Sequence, residues 1–98
     1  MRIENLTTTQ KQNICYMVTA YVCSLQGLSL EAIRKGLRFK ETLAARNEAI
    51  SLINDLLPYE YRAQADFFNL SESTIINIIN TNISNPKALE TLRKILNI

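Results

Sequence analysis

Four helix-breaking residues constrain this chain more than any other feature. Gly27, Gly36, Pro58 and Pro86 are its only glycines and prolines, and they divide 98 residues into stretches in which apolar side chains recur at three-, four- and seven-residue intervals. Glycine stops a helix by taking the left-handed backbone after its last turn; proline stops one by removing a donor and crowding the preceding turn. The spacing therefore predicts helices between these points.

The first predicted helix runs from about Thr7 to Gln26, with Gly27 as its stop. Its apolar stripe is Ile14, Cys15, Val18, Tyr21, Val22 and Leu25, with Met17 at the edge. Tyr16, Ala20 and Cys23 fall on the opposite side, where a monomer's surface helix carries Lys or Glu. A helix apolar on two sides is expected to be wrapped on both, and a second subunit is the simplest wrapper. Ser29 then caps a short helix, Leu30 to Lys35, ended by Gly36, with Leu30, Ile33 and Leu37 as its buried edge. A third, Phe39 to Leu57, places Leu43, Ile50, Ile53 and Leu57 on one face and Arg46, Glu48 and Asp55 on the wet side.

Beyond Pro58 the pattern predicts a helix within Tyr59 to Phe68, a turn at Asn69 and Leu70, a helix from Glu72 to about Asn80 capped by Ser71, a loop, and a last helix, Lys87 to Leu96, with Pro86 at its first turn. Ser73 to Ile83 is β-branched and uncharged, so a strand is its rival reading; helix is preferred because Ile75, Ile78, Ile79 and Asn82 repeat at helical spacing. The expectation is one all-α domain of about six short helices, residues 1–57 building an intertwined or side-by-side homodimer and 59–98 carrying the functional element.

Composition removes several classes of function. Apolar residues make up 47% of the chain and charged residues 20%, which suits a folded helical protein. No apolar run is long enough to span a membrane and the first residues do not form a signal core, so the expected location is the cytoplasm. The triplets Asn5-Leu6-Thr7, Asn69-Leu70-Ser71 and Asn82-Ile83-Ser84 are then chance matches to a glycosylation signal. With no histidine, no phosphate-cradling glycine loop and no recurring carboxylate pair, nothing points to an enzyme, a metal site or any cofactor. Cys15 and Cys23 lie about 12 Å apart along one helix, beyond a disulfide's span, and read as buried thiols.

Ala65, Asn69 and Ile75 carry the functional expectation. They fall four and six residues apart, as a helix-turn-helix requires: a small residue where two helices cross, a residue that accepts left-handed backbone in the turn, and an apolar plug, joined here by Phe68, Leu70 and Ile78. The segment "LSESTIINIINTNISNPKALETLRKIL" resembles the lambda-repressor-like, or XRE-like, regulators through Leu70, Ser71, Ser73, Thr74, Ile75, Ile78, Asn80, Asn85, Pro86, Leu89, Glu90, Thr91, Leu92, Lys94 and Ile95. It departs from them at Gln64, where that family prefers an apolar residue, and at Asn69, where Gly is usual. The helix order is also loosely similar to that of the Trp repressor family, whose N-terminal helices intertwine; no corepressor site is carried across.

The resemblance implies a transcriptional regulator that binds double-stranded DNA; the two-faced first helix and the small footprint of one helix-turn-helix point to a homodimer, and no cofactor is expected. Ser71, Glu72, Ser73, Thr74 and Asn77 would face base edges or nearby phosphates in the major groove. Asn77 is the best base reader, because an amide pairs with both N6 and N7 of adenine. Tyr61, Arg62, Asn85 and Lys87 would contact phosphates, and Arg34, Lys35, Arg38 and Lys40 would supply flanking backbone contacts in a dimer. Two observations oppose this. Residues 59–98 hold four basic and four acidic side chains, and Ile76 and Ile79 stand beside Asn77 where readers place polar groups. The alternative is a small helical adaptor or anti-regulator that docks another protein through Ile76 and Ile79.

Overall fold

The computed structural model describes residues 5–34 and 40–97. Among them are six helices and no strand: α1 (Thr8–Gln26), α2 (Leu30–Arg34), α3 (Lys40–Leu56), α4 (Tyr61–Phe68), α5 (Glu72–Thr81) and α6 (Pro86–Leu96). The chain is all-α, and the segment that rivalled as a strand is helical through Thr81.

Helix boundaries follow local chemistry. Thr7 caps α1 reciprocally: its hydroxyl accepts from the Gln10 amide at 3.1 Å, and its own N–H donates to Gln10 Oε1 at 2.8 Å. Gly27 closes α1 at φ 65°, and its N–H returns to the Cys23 carbonyl. Leu57, Pro58 and Glu60 make the bend after α3, with Tyr59 in left-handed backbone at φ 66°. Pro86 opens α6, where its missing N–H is no loss. The expected end of the second helix at Lys35, with Gly36 and Leu37 beyond it, and the expected start of the third at Phe39 lie outside the described residues.

Helix α3 is the axle of the molecule. It packs against each of the other five helices, and Ala45, Ala49, Ile50, Leu52, Ile53, Leu56 and the following Leu57 are fully buried. The two alanines let neighbouring backbones come close, and the branched residues fill the gaps between them. Leu43, expected in this core, is only half-buried, and Arg46 and Glu48, expected on the wet side, are half-buried too. With neighbours packed all round it, α3 keeps little wet surface beyond residues such as Lys40 and Asp55.

The buried arc of α1 is rotated from its expected stripe. Cys23 is buried inside the chain, while Leu25, expected in the stripe, is 65% exposed. Thr19 explains the rotation: it is fully buried because its hydroxyl donates to the Cys15 carbonyl one turn earlier at 2.8 Å, so its polarity is satisfied within the helix. The arc therefore centres on Cys15, Val18, Thr19, Val22 and Cys23. Tyr16 and Met17 remain outside, 51% and 44% exposed.

Candidate nucleic-acid interface

Helices α4 and α5 pack on each other and on α3. Asn69 follows α4 in left-handed backbone, φ 56° and ψ 49°, and the N–H of Leu70 returns to the Ala65 carbonyl at 3.0 Å. This closes the helix in two residues. Ser71 then caps α5, its Oγ accepting from the Thr74 N–H at 3.2 Å. Ala65, Phe68, Ile75 and Ile78 are buried, and Leu70 is half-buried against the core.

The four isoleucines of α5 are not equivalent. Ile75 and Ile78 are buried, Ile79 is half-buried against the core, and only Ile76, at 37% exposure, reaches the outer surface. The helix therefore turns an outward stripe of Ser73, Asn77 and Asn80 to solvent, spaced by four and three residues over about 10 Å. Asn80 was not among the expected readers. Its signal was available, because it repeats one turn beyond Asn77 on the same face.

The first turn of α5 is a small hydroxyl cluster. Ser71 Oγ lies 2.8 Å from Thr74 Oγ1 and 3.1 Å from Ser73 Oγ. Glu72 is exposed beside it. Asn77 is exposed and accepts from Thr81 through its backbone carbonyl at 2.9 Å, so that contact leaves its amide group unused.

The basic residues are more widely engaged. Arg62 is exposed and pairs with Asp66 one turn on, at 3.2 Å. Tyr61 is half-buried against the core and meets the Tyr59 ring edge-on at 6.3 Å. Arg34 lies over the Phe67 ring at 4.9 Å and lines, with Asn69, a hollow of about 490 Å³ beside the α4–α5 turn. Lys40 is exposed at the start of α3; Lys35 and Arg38 lie outside the described residues.

At the α6 N-terminus, Asn85 Oδ1 accepts from the amides of Lys87 and Ala88 at 2.9 and 3.2 Å. The Asn85 N–H donates to Glu48 Oε1 at 3.1 Å. A carboxylate thus occupies the place expected for a phosphate, which weakens Asn85 as an anion contact and leaves Lys87 as the exposed cation there.

The two thiols take no part in this surface. Burial pushes the Cys15 thiol up to about 12, against a backbone hydrogen bond that lowers it and with a small contribution from Glu60 that raises it. Burial also raises Cys23. Among the described residues no three Cys, Asp or Glu side chains converge as metal ligands, and no helix is long and apolar enough to cross a membrane.

No protein-family model, curated protein or solved structure matches the chain.

Proposed function

We propose that this chain is a sequence-specific DNA-binding regulator of transcription that acts as a homodimer and reads the major groove with the outward stripe of α5. The observation that carries the reading is the sorting of α5. Ile75 and Ile78 are buried and Ile79 half-buried, and a polar, uncharged stripe beginning just after the helix cap turns out. Asn77 is the principal base reader, through a bidentate pair with adenine, and Asn80 extends the same stripe. Glu72 accepts from a cytosine amino group, and Ser71, Ser73 and Thr74 contact phosphates or a thymine methyl. Arg62, Lys87, Arg34 and Lys40 supply backbone contacts, with Tyr61 beside them.

A second reading, a helical adaptor or anti-regulator docking another protein, is supported by the apolar residues left outside. Ile76 is exposed at the edge of α5, Ile79 is half-buried and lines a hollow with Ile83, and Ile83 and Leu25, 93% and 65% exposed, line one hollow between α1, α3 and α6.

Selection from a random-sequence duplex pool at two salt concentrations, with sequencing of the bound fraction, separates the two. Enrichment of a two-fold-symmetric motif is expected. Absence of enrichment even at low salt would transfer the function to a protein partner.

A further inference from the structure

Residues of α1 and α6 line two adjoining hollows of about 300 and 360 Å³, which share Met17, Ile95 and Leu96. Tyr16, Met17 and Ile95 border them at 51%, 44% and 58% exposure, with Ala20 between Tyr16 and Ser24 along α1. No Lys, Arg, Asp or Glu lines either hollow. From Gln12 to Leu30 the sequence carries no charged side chain at all, although that span includes most of a helix with a solvent-facing side.

We infer that this α1/α6 face binds a second copy of the same chain in a two-fold dimer. Charge selects the occupant. In a two-fold interface each residue near the axis meets its own counterpart, so an unpaired charge there meets its like; a face without charge avoids that cost. On α6, the exposed Glu90 and Lys94 pair with each other at 3.3 Å. Nucleic acid or a charged peptide would find no counter-charge within the two hollows; the nearby Glu31, Arg34 and Asp66 border the hollow on the other side of Tyr16.

Size and shape agree with the assignment. Helix α1, at 19 residues, is about 28 Å long and α6, at 11 residues, about 16 Å, so two strips each about 9 Å wide cover roughly 400 Å² in plan. Side-chain relief brings this toward the ≈800 Å² per partner of an ordinary stable interface. Asn13, Met17, Ala20 and Ser24 succeed one another at four-, three- and four-residue steps, the repeat of two helices crossing at a shallow angle. Met17 lies at the middle of α1, so an axis passing there uses the helix's full length. Ala20 lets the two copies of α1 approach, and Tyr16 and Met17 of each enter the hollow beside the other's Ile95. No residue of α5 lines this face, so the dimer leaves the outward stripe open.

The test is sedimentation equilibrium of the full chain over a wide concentration range, with far-UV circular dichroism as the check on folding. The wild type is expected to be a dimer. Tyr16→Lys and Ile95→Lys, each at a position more than half exposed within one chain, are expected to raise its dissociation constant at least ~100-fold with unchanged helicity. Asn77→Ala is expected to remain dimeric. A wild type that stays monomeric at several hundred micromolar overturns the inference and gives the groove to a different apolar partner; a dimer indifferent to both lysine variants overturns the choice of face. A monomer that still enriches an operator sinks this inference and leaves the reading of α5 intact, whereas a dimer that enriches none does the reverse.

Discussion

Gln64 is the residue whose placement conflicts most with its chemistry. It is fully buried in α4, and neither its amide nitrogen nor its carbonyl oxygen has a hydrogen-bond partner among the described residues. An unsatisfied buried amide costs about 1–3 kcal/mol, and an apolar side chain of similar length removes that cost without opening a cavity. Gln64→Met is therefore expected to raise unfolding stability by about 1–2 kcal/mol in urea titration, and a destabilised variant would show that the amide has a structural role. Cys15 makes a different kind of prediction. Its thiol stays protonated to about pH 12 in the fold but only to about 9.0 in an unfolded chain. It thus favours the fold fully below pH 9, and this contribution declines above it as the unfolded chain gains thiolate, by about 1.4 kcal/mol per pH unit. The stability difference between wild type and Cys15→Ala is expected to narrow between pH 9 and roughly pH 11; a constant difference would refute the shift.

At the scale of elements, the joint between α4 and α5 depends on two residues with separable tasks. Asn69 holds left-handed backbone at φ 56°, which Asn tolerates and a β-branched residue does not. Ser71 satisfies an N–H at the α5 start. Asn69→Gly is expected to be neutral or slightly stabilising, Asn69→Val to cost about 1–2 kcal/mol through strain, and Ser71→Ala to cost about 1 kcal/mol through the lost cap. Thermal unfolding of the three variants checks the order. A Val variant as stable as the Gly variant would mean that the turn relaxes to another geometry. Both tasks were legible in the sequence, because a cap and a turn depend on neighbours within a few residues. The rotation of α1 was not. It follows from Thr19, whose threonine hydroxyl reads as polar until its own helix supplies an acceptor.

For the whole molecule, the question is which surface meets a partner, and there charge is more informative than shape. Residues 59–98 carry no net charge, so phosphate attraction alone would bind DNA weakly and discrimination must come from base contacts. Asn77→Ala is accordingly expected to lose about 1–3 kcal/mol of discrimination at one base position of the selected site, with little change in non-specific binding or in folding. Equal losses on specific and random duplexes would remove Asn77 from the reading role.

By itself the sequence determined the six helices, the caps at Thr7, Gly27, Ser71 and Pro86, and the tight α4–α5 turn, because helical periodicity, capping and left-handed backbone are local properties of a few adjacent residues. It also placed Ser71, Glu72, Ser73, Thr74 and Asn77 at the start of one helix. Tertiary packing alone decided that Ile79 is half-buried while Ile76 stays at the surface, that Asn80 joins the outward stripe, that Glu48 meets the Asn85 N–H at the α6 N-terminus, and that residues of α1 and α6 line two uncharged hollows. Each of these depends on which face meets α3 or a distant helix, and burial is a property of neighbours brought together across the chain rather than of any one stretch of it.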